Sequence, residues 1–372
     1  MKTVYVGMSG GVDSSVSALL LKEQGYNVVG VYMKNWSRDL PGMKCPWAED
    51  LADAKRVAVK LGIPFEVWDF EKEYHDKVVD YMLAEFKAGN TPNPDIMCNQ
   101  EIKFKLFYEK AMEAGADFIA TGHYARTLRT GPAVVASPTS AKASVGVPPT
   151  PSPVRVVLAR ATDENKDQTY FLYRISEEAL SHTLFPIGEM KKPDVKKLAH
   201  EHGLHNAYKK ESMGVCFVGE VGMKDFLKEY IEIEPGEIRE IESEKVLGYH
   251  EGAIFYTVGQ RHGLYLSGVA GEVNDGMPYY VVEKDLEHNI VYVSKNLNHE
   301  AIWTKELKLK DILLRGTPGE KVLVRLRHRA PLIPATIKNN TLLFDTEIKR
   351  PASGQSAVLY SGEICLGGGI IV

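Results

Sequence analysis

Residues 2–15 read KTVYVGMSGGVDSS. Lys2 to Met8 alternate as a short strand, and Ser9, Gly10 and Gly11 turn the chain. Asp13, Ser14 or Ser15 can then cap a helix with Val16, Leu19 and Leu20 on one face and Gly25 as its stop. Glycines at such a junction let the backbone approach a phosphate with no Cβ in the way. The helix start adds free N–H groups and the positive end of a dipole. No Lys follows the glycines, so this is not the G-x-x-x-x-G-K-[ST] loop that cradles a transferring γ-phosphate. The competing reading is a plain tight turn between a strand and a helix.

Working outward, strands and helices alternate. Residues 27–33, NVVGVYM, read as a buried strand, ending in Met33, which by itself fits a core as well as a ligand. Residues 48–61 read as a helix with Leu51, Ala54, Val57, Ala58 and Leu61 at helical spacing. A strand at 64–70, a helix at 73–88, a Pro-rich loop at 91–99, a helix at 100–114 and a strand at 117–121 follow. This alternation predicts an α/β doubly wound parallel sheet, with ligands beyond the carboxyl ends of its strands.

Residues 130–155 hold six Pro and only two charged residues, which predicts a flexible insertion. A strand at 156–160, an apolar run at 169–175 and helical patterns over 177–203 come next. From about residue 240 the texture changes to short alternating runs at 279–284, 290–294, 321–329 and 355–360. They predict small β domains, with a barrel at the C-terminus. The expected division is 1–217, 218–284 and 285–372.

A chain of 372 residues exceeds one ordinary core, and 44% hydrophobic with 25% charged residues is globular composition. No apolar run reaches the ~18 residues of a membrane span, and the N-terminus lacks a signal peptide's pattern. No membrane contact and a cytoplasmic location are expected. The net charge of −4 hides an uneven distribution. Residues 191–210 carry six Lys against two acids, and 302–372 carry eleven Lys/Arg against six acids. These zones suit either a phosphate-binding footprint or ordinary solvated faces.

Four cysteines stand at 45, 98, 216 and 365 with no C-x-x-C pair, which disfavours a zinc knuckle or thioredoxin motif. Asn93-Pro94-Asp95-Ile96-Met97-Cys98-Asn99 reads as a stiff loop running into a helix. Cys98 is expected at or just before the helix start, where the dipole favours thiolate. Asp95 is close enough to serve as a general acid or base. Cys216 lies in SMGVCF beside Gly214. Either cysteine alone suits a core position. Together with a phosphate loop they suit sulfur transfer, which needs a persulfide carrier and a second thiolate. Cys45 and Cys365 show no partner pattern. His123 either faces a ligand or caps a strand end, and Lys166-Asp167-Gln168 is either a contact or a solvated turn.

The SGGVDS run resembles the pyrophosphate loop of adenylate-forming ATP pyrophosphatases. PNPDIMCNQEIKF, ATGHYAR, ENKDQTYFLY, ESMGVCFVGE, YTVGQRHGL and SGQSAVLY together resemble the bacterial tRNA-specific 2-thiouridylases, in order and over nearly the whole chain. The resemblance implies a pyrophosphate-loop domain, a small central domain and a C-terminal β-barrel. It implies 2-thiolation of the wobble uridine in tRNAs for Lys, Glu and Gln. ATP would be held by Gly7, Met8, Ser9, Gly10, Gly11, Val12, Asp13, Ser14, Met33 and Gly122. Asn93, Pro94 and Asp95 would meet the target base. Cys98 would be the nucleophile and Cys216 the persulfide carrier, joined in a transient disulfide. His123, Lys166, Asp167, Gln168, Arg327, His328 and Gln355 would touch tRNA. Two departures stand out: the long 130–155 stretch, and Arg327-His328 where many relatives have Arg-Tyr.

The implied reaction consumes ATP with Mg²⁺ and takes sulfur from a cysteine desulfurase or a sulfur-relay protein. Three rival readings remain at this level. One is a ligase or amidase acting on a small metabolite, and another is an RNA-binding module with a degenerate nucleotide fold. The third is an iron–sulfur cluster held by Asp95, Cys98 and Cys216.

Overall fold

The computed structural model describes residues 1–39, 45–130, 155–210, 222–264, 266, 277–316 and 318–372. The predicted insertion therefore lies outside the described residues except at its two ends, as does Cys216.

The N-terminal sheet has the order β3-β2-β1-β4-β7, all parallel. Its strands are β1 (Thr3–Gly7), β2 (Asn27–Lys34), β3 (Phe65–Asp69), β4 (Phe118–Thr121) and the two-residue β7 (Thr183–Leu184). The central strands read as continuous apolar runs because both faces are covered. On one face Val4, Val6 and Val28 pack with Val16 and Leu19 of α1 (Val12–Glu23), Ala54 and Val57 of α2 (Trp47–Leu61), and Val195 and Ala199 of the Lys192–Glu201 helix. On the other, Tyr5, Val29, Val31 and Ile119 pack with Val78, Met82, Ile102 and Phe107 of two helical runs, 71–87 and 94–113. Each run contains a π segment, His75–Val79 and Cys98–Leu106.

The strand after the insertion does not join the parallel sheet. β5 (Arg126–Thr130) and β6 (Arg155–Ala159) pair antiparallel, and β6 attaches to a C-terminal strand at Ala159–Ile364. The N-terminal domain thus lends a hairpin to the barrel. Alternation of residues reveals a strand but not its partner.

The central unit is a four-stranded sheet, order β10-β11-β8-β9, of β8 (Gly236–Glu240), β9 (Val246–His250), β10 (Tyr280–Asp285) and β11 (Ile290–Ser294). β10 and β11 form one hairpin with Asp285 opposite Ile290. The expected boundary at 284/285 therefore cuts a hairpin, and the central unit runs on through β11. Ile238, Leu247, Val281, Val291 and Val293 form its core.

Six strands then close a barrel: β12 (Trp303–Leu314), β13 (Lys321–Arg325), β14 (Ile333–Lys338), β15 (Thr341–Lys349), β16 (Ser356–Ser361) and β17 (Ile364–Ile371). The order is β12-β15-β14-β13-β16-β17, and β12 pairs back to β17, which removes the free edges. Leu307, Val324, Leu342, Phe344 and Leu359 fill it.

The barrel is bolted to the first domain by residues 167–173. Asp167 and Arg325 are both buried and meet at 2.6 Å. Thr169 Oγ1 donates to Asp167 at 2.8 Å and lies 3.1 Å from Tyr360 Oη. Tyr170 Oη donates to the Ser356 carbonyl, and Tyr173 Oη meets Ser356 Oγ, each at 3.1 Å. Removing one member of a buried pair strands the other's charge. Asp167→Ala should destabilise the protein by about 3–5 kcal/mol in urea unfolding. The double variant Asp167→Ala/Arg325→Met should recover much of that loss, and equal losses in both would show that the pair's charge is not what matters.

Candidate active site

The loop after β1 is shaped by close approach. Gly10 has φ +77°, and a Cβ there would stand 2.3 Å from the Asp50 carbonyl oxygen of α2. α1 begins after Gly11 with no side chain capping it, so its first amides stay available to a ligand. The serines brace the loop: Ser9 N–H donates to Ser14 Oγ at 3.2 Å, and Ser15 Oγ donates to the Gly11 carbonyl at 2.9 Å. Gly122, just past β4, lies against α1, where a Cβ would come 2.5 Å from the Ser14 nitrogen. Met33 reaches over Gly7, with Cε 2.8 Å from where a Cβ would be. Gly7, Met33, Gly122 and residues 8–14 therefore gather at the carboxyl ends of β1, β2 and β4. That is the ligand position of a doubly wound sheet.

Three residues that sequence reading did not single out complete this corner. Lys192, buried at the start of its helix, places Nζ 2.7 Å from both carboxylate oxygens of Asp13. Tyr124 Oη donates to the same carboxylate at 3.0 Å. The loop lacks its own cation, and the fold brings one from 179 residues away. Buried Asn206 donates to the Gly10 carbonyl and to Ser15 Oγ, each at 2.9 Å. Lys192 and Asn206 carry no local sequence signal, because each acts only through a tertiary contact.

The cysteine segment differs from the expected loop. Asn93 Oδ1 accepts from the Ile96 amide at 3.4 Å and caps a helix that starts at Pro94. The helical run continues through the π segment Cys98–Leu106 to Glu113. Cys98 is thus one turn inside, with its N–H bonded to the Pro94 carbonyl. The free-amide argument for a thiolate at a helix start does not apply to it. Cys98 is only 2% exposed, inside the core cluster with Ile96, Ile102, Tyr170 and Tyr173. Asp95 is partly buried. Burial pushes its carboxyl up while Lys103 pulls the other way, so it is suited to exchange a proton.

His123 joins the two halves. Its ring lies 5.7 Å from Phe104 of the cysteine helix, and Nδ1 is 2.9 Å from Thr121 Oγ1 at the end of β4. Burial, with Lys103 adding to it, holds the ring well below its usual pKa, so it is neutral at pH 7. Lys103, another residue missed from sequence, thus sits near both Asp95 and His123.

The predicted tRNA residues separate into two groups. Arg327 is exposed and Lys166 partly so. Asp167 is not at the surface at all, being buried against Arg325, because an acid inside needs a cation. Gln168 Oε1 accepts from the Tyr124 amide at 2.9 Å, which steadies the tyrosine that holds Asp13. His328 packs on Phe171 at 4.6 Å, and burial lowers its pKa to about 4. Gln355 turns inward, with Nε2 donating to the Thr91 carbonyl at 2.7 Å. Cys216 lies outside the described residues, and its distance from Cys98 is not described. The preceding stretch is stapled to α2 through Lys209–Asp50 at 2.7 Å and His205–Asp53 at 2.9 Å.

Among the described residues, the one group of three side chains with metal-ligand spacing is His75, Asp76 and Asp80. It borders an open cavity lined by Trp36, Arg38, Glu71 and His75, none of which belongs to the phosphate loop. Asp13, a carboxylate at the loop, is committed to Lys192. These side chains do not form a protein cage for Mg²⁺ at the loop.

Three family descriptions match in sequence: "tRNA methyl transferase HUP domain" over residues 2–220, "tRNA methyl transferase PRC-barrel domain" over 224–295, and "Aminomethyltransferase beta-barrel domain" over 301–371. The chain is 45% identical over 383 residues to the tRNA-specific 2-thiouridylase MnmA of Idiomarina loihiensis, covering 100% of this chain and 96% of that one. It is 43% identical to the protein of the same name from Listeria monocytogenes, over 99% and 94% of the two chains. A solved 4-thiouridine synthetase–RNA complex with bound ATP aligns at 17% identity and TM-score 0.35, over 55% of this chain and 42% of that one. That partial match is too weak to bear on the fold.

Lys192→Met should leave Asp13 uncompensated beside incoming phosphates and weaken ATP binding about tenfold, the scale of one charge-assisted contact. Calorimetric titration with a non-hydrolysable ATP analogue reads this, and unchanged affinity would separate Asp13 from the nucleotide. Because the His328 pKa falls from 6.5 to about 4 on folding, the folded state binds fewer protons in that window. Stability is complete above pH 6.5 and is lost as pH falls toward 4. His328→Phe should flatten that loss by about 1 kcal/mol, after solvent screening of a partly exposed ring.

Proposed function

The chain belongs to the tRNA-specific 2-thiouridylase family, and from that premise we propose how it replaces the C2 oxygen of a tRNA uridine with sulfur at the expense of ATP. The observation that carries the reading is the convergence on one sheet end. The uncapped start of α1 faces Gly122, and His123 links that corner to the helix bearing Asp95 and Cys98.

ATP lies with its β- and γ-phosphates on the amides of residues 10–14, as a leaving group. Lys192 cancels the charge of Asp13 there, so the loop receives the phosphates as a net donor surface. Mg²⁺ would neutralise phosphate charge and be held by the nucleotide, not by a protein cage. The wobble uridine is flipped into the site, because a stacked base hides its C2 oxygen. Asn93, Pro94 and Asp95 meet it. That oxygen attacks the α-phosphate, pyrophosphate leaves, and C2 becomes electrophilic. Asp95, with its carboxyl pushed up by burial, shuttles the proton, and neutral His123 offers a hydrogen bond beside it.

Cys216 carries sulfur as a persulfide received from a cysteine desulfurase or relay protein. The terminal sulfur attacks C2 and AMP leaves. The Cys98 thiolate then attacks Cys216 sulfur, which breaks the C2-bound S–S link and leaves a Cys98–Cys216 disulfide for reduction. Because Cys98 is buried in this structure, its helix start must open when tRNA binds. Arg327 and Lys166 offer cations to the tRNA backbone. A cytoplasmic setting suits free thiols, and no helix among the described residues is long and apolar enough to cross a membrane.

An iron–sulfur reading needs Cys216, outside the described residues. Among those described, Asp95 and Cys98 join no third ligand. A small-metabolite ligase is disfavoured by similarity to 2-thiouridylases along the entire chain.

Cys98→Ser and Cys216→Ser should each lower 2-thiouridine formation by about a thousandfold or more, as loss of a covalent participant does. Both should keep tRNA-dependent exchange of pyrophosphate into ATP. Nucleoside mass analysis after incubation with ATP, Mg²⁺ and a sulfur source measures the first effect. Full activity in either variant defeats the assigned roles.

A further inference from the structure

Residues 89–91, just ahead of the catalytic segment, are held from two other domains. Gly89 ends the 71–87 helix with φ +80°, and the Lys284 ammonium of β10 donates to its carbonyl at 2.8 Å. Leu286 also crowds Gly89, with Cδ1 2.7 Å from where a Cβ would be. Thr91 Oγ1 lies 3.3 Å from Thr257 Oγ1 of the central unit. From the barrel, the Ser353 carbonyl accepts from the Thr91 amide at 2.8 Å, and Gln355 Nε2 donates to the Thr91 carbonyl at 2.7 Å. Gly354, at φ +88°, lets that turn pass within contact of Asn90.

From this arrangement we propose that Lys284 and Gln355 are positioning residues that hold the Asn93–Cys98 segment in place by gripping the backbone of Gly89 and Thr91 from two separate domains. The inference rests on the reading of that segment as the base-contacting and nucleophilic one.

The physical case has three parts. Thr91 is two residues from Asn93, whose side chain caps the Cys98 helix, and Pro92 and Pro94 stiffen the link. A displacement at Thr91 is therefore passed on rather than absorbed. Next, the Lys284 cation sits at a helix C-terminus, where carbonyls are unpaired and the dipole end is negative. Its partial burial pushes its pKa down to about 8, so the ammonium is held there despite a desolvation penalty. Finally, both grips act on main-chain atoms, so they fix where the segment lies without depending on its side chains. Catalytic groups lose about a hundredfold in rate for misplacements near 1 Å, so such outside support matters. The same grips give the two C-terminal domains a direct mechanical link to the nucleophile.

The test uses full-length Lys284→Met, Lys284→Arg, Gln355→Leu and Thr257→Val. Cys98 alkylation by iodoacetamide is followed by peptide mass, and hydrogen exchange by residues 89–98. Lys284→Met and Gln355→Leu should speed Cys98 alkylation and local exchange about tenfold and lower kcat for thiolation about tenfold, with KM for ATP unchanged. Lys284→Arg, which can still reach the Gly89 carbonyl, should restore most of this. If Lys284→Met does not fold, Gln355→Leu and Thr257→Val carry the same readouts. Wild-type alkylation and exchange in these variants overturn the proposal. So does faster exchange spread evenly over the chain, which marks general loosening. If the wild type makes no 2-thiouridine, the functional reading fails, while alkylation and exchange still judge the grip.

Discussion

The first turn of α1 presents amides that no side chain of its own segment satisfies. Such groups at a buried sheet end demand an anion or water, and most of the surrounding structure serves to keep them aimed and open. Gly10 and Gly122 are there because backbone from α2 and from α1 itself occupies the space a Cβ would need. Ser9, Ser14, Ser15 and Asn206 fix the turn by hydrogen bonds that engage the Ser9 and Gly11 amides but put no side-chain cap on the start of α1. A turn braced in this way holds its shape without a ligand's help.

Charge around that site is arranged at a distance in sequence. Asp13 would repel phosphates, and Lys192 answers it from another helix. Lys103 influences both Asp95 and His123 on the cysteine side. The glycine loop and the cysteine helix, the proposed nucleotide and sulfur corners, meet through the His123–Phe104 contact.

The domains are not beads on a string. Residues 167–173 pack against the outer face of the barrel, the β5–β6 hairpin extends it, and residues 89–91 are held by both later domains. Several residues that looked like tRNA contacts are consumed by this packing. Asp167 and Gln168 are motif residues with internal partners, and Gln355 faces the cysteine segment. A motif records that side chains are needed together, and the need here is partly architectural.

The sequence by itself determined the alternating βα order, the phosphate turn, the cysteine motif and the β texture of the C-terminal half. Each is a local signal: glycine freedom at a turn, 3.6-residue or two-residue periodicity, proline stiffness. The tertiary structure alone decided what depends on distant segments meeting. It set Lys192 on Asp13, gave β6 to the barrel, ran the central sheet past 285, and buried Cys98 inside a helix rather than at its mouth. Side-chain pattern says which face a strand or helix buries. Only the packed chain says against what, because pairing and burial energies belong to contacts between segments and not to any one segment.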